Sequence, residues 1–284
     1  MREVRQDPLT GDTVVLVTER PFERRPPLGA GPGPEECPFC PGHEAHTCPT
    51  IADRRDPTGW VARAFANRRP VLVVEEPLAE RVDGPYAAVS GTGAHEVVVE
   101  APEHAPLHHL PQQRSEDALH LAAARARDLR GDTRLAVVQW FRNHGVGAGA
   151  SQAHPHAQLV GLPVVPRRIG SLVERATAWR ARRGGTLLGA VVEAELQSGA
   201  RVLEHRDGVV AFCAWAPRHP YEVWVVPEGA PTAFADAAPD TLAAVAGAVR
   251  RVARALAATL GEVPTTTVAL GPPHLPGIDG VGWH

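Results

Sequence analysis

The stretch NHGVGAGASQAHPHAQ, residues 143–158, joins a glycine-rich loop to an alternating run that ends in His154-Pro155-His156-Ala157-Gln158. On a strand, successive side chains point to opposite faces, so 154, 156 and 158 share one surface. Two imidazoles and a carboxamide then stand in a row. Asn143, Gly145, Gly147, Gly149 and Ser151 lie ahead of them. Glycines let backbone N–H groups close on an anion, and Ser151 adds a hydroxyl donor. An imidazole facing such a cradle suits in-line attack on phosphorus, with a phosphoramidate on histidine as product. The alternative, two core histidines beside a turn, leaves the loop and Gln158 unexplained.

Working outward, Arg134–Phe141 reads as a buried strand, and His154–Leu162 as a second one stopped by Pro163. The pattern predicts a helix over 115–130. Ser115 caps its start, Gly131 ends it, and Ala118, Leu121, Ala122 and Leu129 form its apolar stripe. Trp60–Phe65, Val71–Glu75 and His95–Glu100 read as strands. Residues 7–17 read as a turn and a β-branched strand, and 21–36 as an irregular loop. The second half echoes the first, with a strand at 221–229, a helix at 239–260, a strand at 264–270 and a terminal GVGWH. Pro239 and Gly261 bracket that helix. The order implies a duplicated α+β unit whose second copy is degenerate. That copy has Gly229 where the first has His104, and it stops where a second histidine cluster is expected.

The chain has 284 residues and a net charge of −3, which fits one or two globular domains and argues against a nucleic-acid surface. All 29 basic residues are arginine, which excludes a Schiff-base or P-loop lysine. No apolar run reaches membrane-spanning length, and the charged start MREVRQDP lacks a signal-peptide core, so the expected compartment is the cytoplasm. Cys37-Pro-Phe-Cys40 has the spacing of half a tetrahedral zinc site. Its partners are open at this point. A local knuckle with His43 or His46 and Cys48 is one option, and two free buried thiols are another.

Four stretches resemble the galactose-1-phosphate uridylyltransferase family, a branch of the histidine-triad superfamily. These are Asp7–Asp12 with the following VVLV, the CPFCPG turn at 37–42, HEVVVEAPEH at 95–104, and NHGVGAGASQAHPHAQ. Fainter likeness runs through 211–227. The resemblance implies an α+β fold of two tandem histidine-triad-like units, each an antiparallel sheet with packed helices. Residues 1–166 are then the catalytic unit with its zinc site. On the same resemblance, residues 167–284 are the degenerate unit, truncated before the family's hexose-binding segment. It also implies Zn2+ at Cys37, Cys40, His104 and His154. His156 becomes the nucleophile, and Gln158 and Ser151 bind the transferring phosphoryl group. Asn143, Gly149, Asn67, Arg20 and Arg25 fall on the substrate side, the arginines suited to a diphosphate.

Hydrolytic members of the superfamily carry a third histidine at the Gln158 position. A carboxamide cannot deliver a proton at neutral pH, so Gln158 favours transfer between phosphates over hydrolysis. The resemblance thus implies a ping-pong transfer in galactose metabolism, between UDP-glucose and galactose 1-phosphate, by a homodimer. A nucleotidyltransferase or phosphorylase for another sugar nucleotide, such as an ADP-sugar, is the alternative. A non-catalytic sugar-nucleotide binder is a second one. His205, His219 and His274 are scattered and form no further metal set.

Overall fold

The computed structural model describes residues 1–18, 31–229, 233–275, 278 and 281–284. Thirteen strands and four helices are present among them. Strands β1 (Arg2–Gln6), β2 (Thr13–Val17), β5 (Glu80–Asp83) and β6 (Tyr86–Ser90) form a small sheet in the order β2-β1-β6-β5. The large sheet collects β3 (Thr50–Asp56), β4 (Gly59–Ala66), β7 (Ala94–Val99), β8 (Val137–His144), β9 (His156–Leu162) and β13 (Thr265–Val268). Its order is β13-β8-β9-β7-β4-β3, and every pair is antiparallel. A third sheet has the order β10-β11-β12, from Val202–Arg206, Val209–Cys213 and Val223–Pro227. The α+β class is as expected from the sequence.

Helix α1 (Gln112–Leu129) covers one face of the large sheet, and α4 (Pro239–Leu260) packs against both α1 and the third sheet. Helices α2 (Arg167–Arg183) and α3 (Leu187–Ser198) connect the halves. The pleat sorts the large sheet by parity. Ala62, Ala64, Val98, Trp140, Ala157 and Leu159 join Leu121 and Ala122 of α1 in the main core. Phe65, Val97 and Val99 turn the other way and pack with Cys37, Phe39 and Cys40. His156 and Gln158 alternate with Ala157 and Leu159, so they belong to this second face.

Some local expectations change. Val71–Glu75 is not a strand: only an isolated bridge pairs Val73 with Thr92, while Leu72 is fully buried. Its apolar run serves to anchor one side chain, which periodicity cannot separate from a strand. Helix α1 begins one turn before Ser115, which lies buried inside it, and its N-cap is Pro111 with no side-chain cap. Proline's preset φ orders that end without a hydroxyl. Strand β9 begins at His156, not His154. Pro155 has no N–H for the ladder, and its carbonyl instead accepts from Glu100 N–H at 3.0 Å. Strand β8 runs on to His144, so Asn143 is a strand residue rather than a loop residue. From the second half, β13 adds to β8, with Thr266 opposite Asn143.

A buried ion pair crosses the interface between α1 and the large sheet. Arg125 of α1 donates from Nε and Nη2 to both carboxylate oxygens of Glu96 on β7, at 2.9 and 2.7 Å. Both residues are buried. Removing one partner strands the other charge, at a cost of about 3–5 kcal/mol. Asp128, which also pairs with Arg125, lowers that penalty. Glu96→Ala should therefore destabilise the chain by about 3 kcal/mol in denaturant unfolding, the low end of that range.

Candidate active site and metal cluster

The turn at Cys37–Gly42 lies against the second face of the large sheet. Here the four candidate ligands converge. Cys40 Sγ is 3.4 Å from His104 Nδ1 and 3.5 Å from His154 Nδ1. The ligand atoms of Cys37, Cys40, His104 and His154 all lie within 4.8 Å of one another. Cys37 and His154 are fully buried, and Phe39 N–H donates to Cys37 Sγ at 3.4 Å. His154 Nε2 donates to the Ala101 carbonyl at 2.8 Å, which leaves Nδ1 with its lone pair toward the thiols. Burial pushes the pKa of His154 down to about 4, so the ring is neutral at pH 7. Burial and the neighbouring Cys37 push the Cys40 thiol up to about 11, an unfavourable place for thiolates without a cation. Two sulfurs and two free imidazole nitrogens suit a tetrahedral metal ion. The local knuckle is not formed: His43 Nδ1 donates to the Cys37 carbonyl at 2.7 Å, and its ring stacks on His46.

His156 follows directly. Its Nδ1 donates to the His154 carbonyl at 2.9 Å, which sets the tautomer and leaves Nε2 as a free base. Only 5% of the residue is exposed, and the Phe39 ring lies 5.3 Å away. Burial lowers its pKa, opposed by its bond to the His154 carbonyl and by the charge of Glu100. The neutral, nucleophilic ring is therefore the resting form. Glu100 is itself held by Arg142, whose Nε donates to it at 2.7 Å.

Gln158, two residues on, accepts at Oε1 from His95 Nε2 at 2.7 Å. His95 Nδ1 accepts the Val71 N–H at 3.2 Å, and Asn67 Nδ2 lies 3.1 Å from His95 Nε2. Asn67 and Gln158 are thus brought together through His95. Asn143 Oδ1 accepts from the Thr266 hydroxyl at 3.2 Å. After β8 the loop makes a short 3-10 turn over Val146–Ala148, and Gly149 closes it at φ 85°, a left-handed conformation that favours glycine. Ser151 is exposed beyond that turn. Arg20 and Arg25 lie outside the described residues.

Comparison with known proteins bears on this geometry. Residues 2–166 match the family described as "Galactose-1-phosphate uridyl transferase, N-terminal domain". The chain belongs to this family. It is 29% identical over 80% of its length to a protein named ADP-glucose phosphorylase from Arabidopsis thaliana, covering 66% of that relative. A Thermotoga maritima galactose-1-phosphate uridylyltransferase is 27% identical over 80% of the chain, with 67% of its own length covered. The chain therefore spans about two thirds of these curated relatives. A solved structure titled "Structure of uridylyltransferase" superposes with a TM-score of 0.79 at 26% identity, covering 99% of this chain and 84% of that one.

The sequence reading of this uridyl transferase family member passed over His95, Glu100 and Arg142. His95 opens the strand-like HEVVVE, and only the pairing of β7 with β9 sets it near Gln158. Glu100 and Arg142 are 42 positions apart in the chain, a pairing no local pattern reveals.

Cys40→Ala should remove the metal equivalent that carries thiolate ligands. Binding energy at a closed site of this kind is folding energy, so stability should fall with it. Elemental analysis and thermal unfolding of the variant read both effects.

Proposed function

We propose that the chain is a nucleotidyltransferase that carries a nucleoside monophosphate on His156. The leading reading is UDP-glucose:galactose-1-phosphate uridylyl transfer. The supporting observation is the His156 tautomer: Nδ1 spends its proton on the His154 carbonyl, so Nε2 offers a lone pair from a buried neutral ring. Nε2 attacks the α-phosphorus of the sugar nucleotide. The N–P bond forms as the P–O bond to the sugar phosphate breaks. That leaving group departs as a stable phosphate anion and takes no proton. A phosphate oxygen of the acceptor then attacks the same phosphorus, and the N–P bond breaks.

In this reading Gln158, steadied by His95, offers its amide N–H to the phosphoryl oxygens. Asn143, Gly149, Ser151, Asn67, Arg20 and Arg25 serve the nucleotide and its phosphates. Zn2+ on Cys37, Cys40, His104 and His154 supplies structure, not chemistry: two S and two N ligands close its coordination. What it contributes is the fixed place of His154, and through the carbonyl of His154 the aim of His156.

A second reading has its own support. The Arabidopsis relative is named ADP-glucose phosphorylase, so an adenylyl donor with inorganic phosphate as acceptor uses the same steps. We assign residues 1–166 to the catalytic unit and 167–284 to the degenerate one. We also place the protein in the cytoplasm as a homodimer; no helix among the described residues is long and apolar enough to cross a membrane. Strands β12 and β13 each end a sheet order, and such edges invite pairing with a second copy. Mass measurement in solution tests this; a monomer at all concentrations removes it.

Intact-mass analysis after mixing with UDP-glucose or ADP-glucose should show a uridylyl or adenylyl adduct mapping to His156. His156→Gly should show no adduct and lose transfer by roughly 10,000-fold or more, with bound metal retained. Full turnover in that variant overturns the assignment. Because burial lowers the His156 pKa, the neutral nucleophile persists as pH falls past 6.5, the ordinary histidine value. Single-turnover adduct formation should therefore stay above half its maximal rate at pH 6.5, where an ordinary histidine would be half protonated.

A further inference from the structure

A second group of ligating side chains lies away from the thiols. His108 and His109 end a short 3-10 turn at Leu107–His109, His144 ends β8, and Glu262 follows α4. The Nε2 atoms of His108 and His109 are each 3.2 Å from Glu262 Oε1. His144 Nε2 is 3.2 Å from the other oxygen, Oε2. The ligand atoms of His108, His109 and Glu262 lie within 4.8 Å of one another. A tetrahedral ion with bonds of about 2.0–2.1 Å places its ligand atoms about 3.4 Å apart, close to the 3.2 Å already found from each imidazole to Glu262, so only the gap between the two imidazoles, at most 4.8 Å, has to close. His109 and Glu262 have that freedom, since 54% and 48% of their side chains are exposed. His108 is buried, which fixes one ligand in advance.

We propose that His108, His109 and Glu262 form a second metal site, for a borderline divalent cation such as Zn2+, Co2+ or Ni2+. Two imidazoles and one carboxylate are an established ligand set for such ions and leave a coordination position for water. His144 bonds the far carboxylate oxygen and holds Glu262 in orientation, as outer partners of metal ligands do. The chemistry of the cluster supports an ion over a set of ion pairs. One carboxylate cannot neutralise three imidazolium rings, and the rings of His108 and His109 are only 4.4 Å apart. Burial lowers the pKa of His108, which favours its neutral form. Neutral imidazole is the ligand form. The site ties the segment after His104 and the residue after α4 to the end of β8, next to Asn143.

The test uses the full chain without a histidine tag, titrated with Co2+ and followed by absorption and by elemental analysis after dialysis. Two equivalents per chain are expected. One should show thiolate-to-cobalt charge transfer, from Cys37 and Cys40. The other should show only the visible bands of nitrogen and oxygen ligation. His109→Ala and Glu262→Gln, both at exposed positions, should each weaken the thiolate-free equivalent more than about a hundredfold, beyond the roughly ten- to hundredfold loss expected for an outer partner. They should leave the thiolate equivalent unchanged. A single equivalent in the wild type, or a second one whose affinity neither substitution alters, overturns the proposal.

Discussion

His154 is held at three points, and the rest of the site depends on that hold. Its Nδ1 lies beside Cys40 Sγ, its Nε2–H is taken by the Ala101 carbonyl, and its own carbonyl takes the Nδ1–H of His156. The first two contacts fix the ring. The third carries that placement two residues along the chain and leaves one nitrogen of His156 unprotonated. A buried imidazole loses solvation, so each of its nitrogens needs a partner or a task. Here three of the four nitrogens on the two rings are engaged, and the fourth is the one available for chemistry.

The large sheet makes this arrangement possible by using its two faces differently. One face is apolar and packs on α1 and, through it, on α4. The other carries the cysteine turn, the paired histidines and Gln158. Charges at the borders are paired rather than free: Glu96 with Arg125 toward the helix, Glu100 with Arg142 beside His156. The Glu100 charge works against the effect of burial on His156, and the Arg142 charge works with it. Desolvation prevails, which keeps the ring neutral.

Much of this was legible in the chain because the features are local or strongly periodic. The helix at 239–260 has a continuous apolar stripe between Pro239 and Gly261, and the structure has the same bounds. The faces of His156 and Gln158 follow from strand alternation alone. The expectations that changed involve competition between local signals and the fold. Val71–Glu75 looks like a strand, but the buried Leu72 anchors it without a ladder. Ser115 looks like a cap, but Pro111 had already started the helix. His154 looks like the first residue of its strand, but Pro155 cannot join the ladder.

By itself, then, the sequence determined the α+β class, the glycine loop before a histidine strand, the CxxC turn and the family. Each rests on residues within a few positions of one another, where covalent geometry limits the choices. Only the tertiary structure decided which residues meet across the chain. It placed His95 between Asn67 and Gln158, and Glu100 against Arg142. It also gathered His108, His109, His144 and Glu262 around one carboxylate, a set spread over 154 positions between its ends. The physical reason is the antiparallel sheet. Its register brings distant segments side by side, and no single segment carries the information about its neighbour.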